Sequence, residues 1–501
     1  MPMARLCQIP TTVGLGDDRA HKGLERAVLH ARAGHRIGVI GPLRRPKPIL
    51  VGIWQRSVAV GLAMMVVACG AQSVTPSASA PPTSLPPGTA AAPAVAEIDP
   101  APGSDSGVYA PNPGAIVVAI DPGHGGCLDW GVPDPSERGV ALAEKTLTLE
   151  IAGRLRDRLS AEGIGVVMTR DGDDALAGDD YPALDCHGPP WRDVNGDGMT
   201  GFGDDALPEA TRTRDELQAR LDFANLAQAD ALVSIHINSP SEGGQSIEIA
   251  FSETFYTDET PWGADVTARL AELVEGGVVD RLDSLATYER GDRGTTAHNF
   301  YMVAPPLLEE TEERPNRWAQ PTRGGLMPVV LAEVGSITLR AEHDLLSSAP
   351  GQDAVAAGLF DALATFFGER ELAGRIGLAD SGPLQPDPVG GDGPPFWPSI
   401  APDAPMMLRL TNTGTAAWAS DMELVSGWEE TDQPYLASAP DALASLDIAV
   451  PALAPGASVV VQVTLPPPPA GRGVAWVSLS MNGQTLADRG SPALQLSSEG
   501  P

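Results

Sequence analysis

With 501 residues the chain exceeds what one hydrophobic core usually organises, so two or more folded units joined by connecting segments are expected. Its 55 Gly and 48 Pro stop short of a wholly disordered composition, and 43% hydrophobic residues are enough to build cores. The 33 Lys+Arg against 65 Asp+Glu leave a formal charge of -32, which repels phosphate backbones and excludes nucleic acid as a partner.

The charge is uneven, because residues 1–57 carry ten Lys+Arg against three acids. Val58 to Ala68 is an apolar run too short to span a bilayer, preceded by Arg44, Arg45, Lys47 and Arg56 and followed at once by Cys69. That order reads as the hydrophobic region of an export signal. Its end, Val66-Val67-Ala68-Cys69, resembles the lipobox of bacterial lipoproteins, which implies a signal peptide over 1–69 and a lipid anchor at Cys69 as the only membrane attachment. A plain secretory signal cut near Ala71 and a stop-transfer anchor are the alternatives. Residues 70–113 are rich in Pro, Ala, Ser and Thr and poor in large apolar side chains, so a disordered spacer is expected there. A second linker is expected over 371–399.

Between the linkers, over 114–370, buried strands alternate with helices. Ala115 to Ile120 is a continuous apolar run of the kind buried on both faces of a sheet. Leu147, Ile151, Leu155 and Leu159 recur every four residues and predict a helix that stops at Gly163. A strand over 164–168, a helix carrying Leu217, Leu221 and Ala224, and a strand over 231–235 follow. Further on, a helix is predicted over 264–275, a strand over 327–332 and a closing helix over 354–367. The pattern predicts an α/β domain with a mostly parallel mixed sheet flanked by helices.

Polar residues gather where the predicted strands finish, which is where open α/β sheets place their sites. The first strand runs into Asp121-Pro122-Gly123-His124-Gly125-Gly126, the strand from Ala231 into His236-Ile237-Asn238, and the strand from Met327 into Glu333-Val334-Gly335. Glu144-Lys145 opens the first helix. Two His and one Glu form a set that zinc accepts with its fourth position left for water, and a further carboxylate can take that water's proton. Residue types alone also allow structural histidines, a helix-terminal Glu144 and a Glu333 paired with arginine.

The succession IVVAIDPGHGG, EK, TRDGD, ANLAQADALVSIHINS, DRG and MPVVLAEVGSI resembles the zinc-dependent N-acetylmuramoyl-L-alanine amidases, over about residues 115–370. The resemblance implies His124, Glu144 and His236 as zinc ligands and Glu333 as the catalytic carboxylate. It also implies that the substrate is peptidoglycan, cut at the amide between N-acetylmuramic acid and L-Ala, outside the cytoplasm. Ser336 stands where the family usually has Phe and Leu339 where Asn is common. The rival reading is a non-catalytic, peptidoglycan-binding surface lipoprotein, which the intact quartet disfavours.

Within this domain an insertion over about 179–210 contains Asp193, Asn195, Asp197, Met199 and Asp204 at positions one, three, five, seven and twelve of a loop with Gly198 at the sixth. That spacing matches an EF-hand-type calcium loop and resembles dockerin loops, so Ca2+ is the expected second ion. An acidic surface loop is the alternative. Cys127 and Cys186 are the only cysteines after Cys69 and read as a disulfide in an exported chain, with free thiols or Cys127 as an extra zinc ligand as alternatives. The acidic stretch with Glu309, Glu310, Glu312 and Glu313 reads as a solvated loop; His187, His298 and His343 read as surface or structural.

Residues 400–498 alternate apolar and polar positions in short runs, such as Val459 to Val463 and Ala475 to Leu479, separated by Pro/Gly turns. This predicts an all-β antiparallel sandwich. Leu410 to Trp418 resembles bacterial immunoglobulin-like modules whose Trp packs in the core. An unidentified ligand of this module is one reading, with Trp428 and Tyr435 as a sugar-stacking surface; buried or interface aromatics are the commoner one.

Overall fold

The computed structural model describes residues 98–99, 116–126, 129–132, 142–176, 214–242, 245–260, 262, 264–303, 324–379, 400, 404–430, 439–468 and 473–498. Cys69, Cys127, Cys186, His187, Tyr435, the calcium-loop positions from Asp193 to Asp204 and the glutamates from Glu309 to Glu313 lie outside them. Strand β1 is a two-residue segment, Ile98–Asp99. The α/β domain then runs through β2 (Val117–Pro122), α1 (Glu144–Ala161), β3 (Gly165–Met168), α2 (Arg214–Leu226) and β4 (Ala231–Asn238). A small hairpin of β5 (Ser241–Glu242) and β6 (Gln245–Ser246) leads to β7 (Phe251–Tyr256), α3 (Ala264–Asp283) and β8 (Gly291–Ala297). Then come β9 (Val329–Ser336), α4 (Arg340–Leu346) and α5 (Ala349–Glu369).

Six of these strands form one sheet in the order β3-β2-β4-β9-β7-β8. The β3, β2, β4 and β9 neighbours are parallel, β7 runs antiparallel to β9, and β8 is parallel to β7. The sheet is therefore mixed and mostly parallel, with helices on both faces. On one face the stripes of α1 (Leu147, Ile151, Leu155), α3 (Leu270, Val274, Val278) and α5 (Val355, Leu359, Leu363) bury against Val118, Ile120, Val233, Ile235 and Val330. On the other, Leu221 and Ala224 of α2 cover Ala119, Leu232 and Leu331. Gly163 ends the α1 region at φ 77, the left-handed value a glycine takes after a helix at little cost.

Two antiparallel sheets around a second core follow. The first has the order β1-β14-β11-β10, where β10 is Gly374–Leu378, β11 Pro405–Asn412 and β14 Ser458–Thr464. In the second, β13 (Ala444–Ala449), β12 (Glu423–Glu429), β15 (Val474–Met481) and β16 (Gln484–Thr485) are joined in that order, and β17 (Leu494–Ser497) also pairs with β15. Leu408, Leu410, Val459 and Val461 of one sheet meet Leu424, Val477, Leu479 and Leu496 of the other. Trp418 is buried between them and donates Nε1–H to the Ala373 carbonyl at 3.2 Å.

The β region begins earlier than the expected boundary at 400. Arg370 to Ala373 leads directly from α5 into β10, whose five residues pair with β11, inside the span expected as linker 371–399. Ile98 and Asp99, within the spacer expected over 70–113, likewise pair with Val459 and Ser458. Both segments are too short, and β10 too rich in Gly, to show a hydrophobic period. Arg375 of β10 pairs with buried Asp230, whose Oδ2 also accepts the Val117 amide at 2.8 Å. Gln228 donates to the Ile376 carbonyl at 2.8 Å, and Arg370 donates to the Arg489 carbonyl and Ser491 Oγ, each at 3.1 Å. The β region is thus bonded to the amino-terminal end of the parallel sheet, at the starts of β2 and β4. Among the described residues no helix is long and apolar enough to cross a membrane.

Candidate metal centre at the carboxyl end of the sheet

At the opposite end, β2 and β4 deliver His124 and His236 beside Glu144, the first residue of α1. His124 Nε2 lies 3.0 Å from Glu144 Oε1 and 3.1 Å from His236 Nδ1, and His236 Nδ1 lies 3.4 Å from Glu144 Oε1. Metal–ligand bonds of about 2.0–2.2 Å in tetrahedral geometry space ligand atoms by about 3.3 Å, so the triangle has the size of one face of a zinc tetrahedron. The three residues are also the group of potential metal ligands that the described residues bring together.

Two of the three ligands are held from behind by hydrogen bonds. His124 Nδ1 donates to Asp129 Oδ1 at 2.6 Å, which leaves the Nε2 lone pair facing the triangle. Glu144 Oε2 accepts the Val132 amide and Oε1 the Ile237 amide, both at 2.9 Å. A Cβ on Gly123 would fall 2.4 Å from the His236 ring, and one on Gly131, at φ 66, 2.4 Å from Glu144 Oε2. Both loops approach the ligands at distances only glycine permits.

The electrostatics favour a cation. Burial opposes charge on His124, yet Asp129 and Glu144 outweigh it and hold its pKa well above the ordinary histidine value. Burial likewise opposes ionisation of Glu144, but the two histidines hold its carboxyl below the usual range. The pocket is thus built to stabilise positive charge between these groups, which a divalent cation supplies.

Glu333 stands on the next strand, as the register partner of His236. Its Oε2 is buried without a hydrogen-bond partner. Burial and then the Glu144 charge push its carboxyl well above the ordinary glutamate value. An orphaned carboxylate oxygen one strand from the ligand triangle is suited to take a proton from a reacting water.

Beneath the site lies a charged network that the sequence reading did not single out. Arg220 of α2, 1% exposed, donates to Asp121 Oδ1 at 2.8 Å, to the Pro122 carbonyl at 2.9 Å and to the His124 carbonyl at 2.7 Å, and it pairs with Glu216 at 2.8 Å. Asp121 also accepts hydroxyls from Thr169 and Ser234 at 2.6 Å each. Burial opposes its ionisation, but Arg220 and the two hydroxyls hold its pKa at about 2. Arg170 adds bonds to the Pro122 and Gly123 carbonyls. These contacts fix a turn in which His124 has φ 63, a conformation that costs a non-glycine residue about 1 kcal/mol or more. The one sequence signal was Glu216 four residues before Arg220. Asp129 gave none, because its partner is set by the turn.

Of the remaining histidines, His343 is buried with Nε2 3.1 Å from the Leu142 carbonyl, and His298 packs edge-on against Phe300.

Residues 118–365 match the family model described as N-acetylmuramoyl-L-alanine amidase. The chain is 24% identical over 255 residues to a germination-specific N-acetylmuramoyl-L-alanine amidase of Bacillus subtilis (strain 168), an alignment spanning 51% of this chain and 81% of that protein. It is 25% identical over 253 residues to the N-acetylmuramoyl-L-alanine amidase LytC of the same organism, covering 50% and 35%. Among solved structures, the N-acetylmuramoyl-L-alanine amidase AmiC2 of Nostoc punctiforme is 24% identical, covering 50% of this chain and 96% of that one, with a TM-score of 0.32. The α/β domain is accordingly that of an amide hydrolase. Residues 118–365 belong to the N-acetylmuramoyl-L-alanine amidase family.

Proposed function

We propose that this protein is a zinc-dependent N-acetylmuramoyl-L-alanine amidase, which hydrolyses the amide joining the lactyl group of N-acetylmuramic acid to L-Ala of the peptidoglycan stem peptide. The observation that carries the reading is the triangle of His124 Nε2, Glu144 Oε1 and His236 Nδ1 with the unpartnered Glu333 carboxylate on the adjoining strand. These three side chains would hold zinc, which when bound polarises the scissile carbonyl and lowers the pKa of water toward about 7.

The chain's own groups account for the proton. Glu333 accepts it at Oε2 as the water oxygen adds to the carbonyl carbon, and returns it to the amide nitrogen as the C–N bond breaks. The products are a free lactyl carboxylate and a free L-Ala amine. Both transfers use the same oxygen, which no other group occupies. Asp129 keeps the His124 ring turned toward the site throughout.

The rest of the chain fits an envelope protein. Export through the segment before Cys69, lipid anchoring at Cys69 or release after plain secretion, a Cys127–Cys186 disulfide and calcium at Asp193, Asn195, Asp197, Met199 and Asp204 belong to this reading, supported by residue spacing. An immunoglobulin-like C-terminal module is supported by its two antiparallel sheets and buried Trp418. The test of the site is Glu333→Gln, which should retain about one zinc per chain while the rate of amide cleavage falls by at least about 100-fold. Near-normal turnover would assign the proton to another group.

A further inference from the structure

The row that carries the site does not end at Glu333. Glu253 of β7 is the antiparallel register partner of Glu333, as Glu333 is the partner of His236. Directly paired residues share a face, so His236, Glu333 and Glu253 form one line across three strands. Glu253 Oε1 accepts the Thr296 hydroxyl of edge strand β8 at 3.0 Å. Its Oε2 lies 3.5 Å from Arg293 Nη1, and the Arg293 guanidinium is stacked 3.5 Å above the ring of buried Phe251. Phe251 lies two residues before Glu253 on β7, on the same face and toward the carboxyl end of β9. Arg293 therefore overhangs the mouth of the site beyond the proton-carrying carboxylate.

Arg293 is built to meet something from outside. Its side chain is 44% exposed, and among the described residues its one ion pair is the long contact to Glu253. The stacking sets the plane of the guanidinium, which carries five N–H donors. This is an open cation in a protein of net charge -32.

Resting on the amidase reading, we propose that Arg293, oriented by Phe251 and Glu253, is the subsite for a carboxylate on the peptide side of the substrate, at about the second residue after the scissile bond. The direction follows from the chemistry. Glu333 must return its proton to the leaving amine, so the peptide lies on the Glu333 side of the ligand triangle, and Glu253 and Arg293 come next along that line. Strands are spaced by about 4.8 Å, so Arg293, above β7, stands about one to two spacings from Glu333. An extended peptide advances about 3.3–3.6 Å per residue, which brings a second-residue carboxylate to that distance. The glycan side carries no anion while its lactyl group is held in the amide.

The test uses the zinc-loaded full chain and two short peptides that begin with L-Ala and carry an acidic second residue, one with its carboxylate free and one with it amidated. Calorimetric titration should show wild type binding the free acid at least about tenfold more tightly, the effect of one hydrogen bond to a charged group. Arg293→Ala should bring that ratio close to one and Arg293→Lys should restore part of it, with zinc content and melting temperature reporting an intact fold. Arg293→Gln serves in the same way should the alanine variant fail to fold. Equal binding of the two peptides by wild type, or a preference that survives loss of the guanidinium, overturns the subsite. A wild type that prefers the acid but cleaves no cell wall keeps the subsite and refutes the amidase reading.

Discussion

Arg220→Met probes the layer on which the metal centre rests. The methionine retains most of the apolar stem but removes the guanidinium, so that Asp121 and Glu216 lose their ion pairs to Arg220 and the His124 carbonyl its 2.7 Å donor. The cost can be approached from two sides. Removing one partner of a buried ion pair destabilises by about 3–5 kcal/mol. Independently, a folded Asp121 held at about 2 against an ordinary 3.8 corresponds to roughly 2–3 kcal/mol. The second figure counts Asp121 alone, so about 3 kcal/mol is expected for the variant at pH 7. The sign of the pH dependence follows: the Asp121 contribution is present in wild type above pH 3.8 and is lost as pH falls through about 2. Urea denaturation of zinc-loaded wild type and variant measures the difference, and a zinc titration should show weaker binding because the His124 turn is no longer clamped. A loss below about 1 kcal/mol with unchanged zinc affinity would refute the role given to Arg220.

Three further outcomes are expected. Glu275 of α3 is buried with Oε2 bonded to Thr254, and burial followed by the Asp292 charge raises its carboxyl from 4.5 up to about 8. The fold thus keeps a proton that the unfolded chain releases, so stability should fall as pH rises from about 4.5 to about 8; Glu275→Gln should flatten that slope in melting curves and stabilise at pH 8 by up to about 4 kcal/mol. Arg375→Ala should destabilise the full chain by about 3 kcal/mol, because it removes the ion-pair partner of buried Asp230. Unfolding of wild type should then be coincident by circular dichroism and zinc release, and two separate transitions would show that the catalytic and β regions are energetically independent.

Strand ends were the legible part of this chain. Each ligand and Glu333 follows a run apolar enough to mark a strand buried on both faces, or opens a helix with a clean four-residue period, as with Glu144 before Leu147 and Ile151. What periodicity could not show was placement across the sheet. The strands at 251–256 and 291–297 went unmarked, since β7 mixes Ser, Glu and Thr with Phe and Tyr while β8 is largely exposed and polar. With them went the His236–Glu333–Glu253 line, which exists only through register. The helix predicted over 264–275 extends to Asp283 through Gly276 and Gly277, and the one predicted over 354–367 begins earlier, at Ala349. Arg220 was hidden because a buried arginine looks like a surface one until its partners, about 100 residues away in the chain, are brought beside it.

The most direct measurement of the central claim is the digestion of purified peptidoglycan sacculi by the zinc-loaded protein, with the new ends identified by mass spectrometry. The account predicts stem peptides released with free L-Ala amines and glycan strands left with free lactyl carboxylates, and no release by His236→Ala. New reducing sugar ends, cleavage within the peptide, or undiminished release by that variant would contradict it.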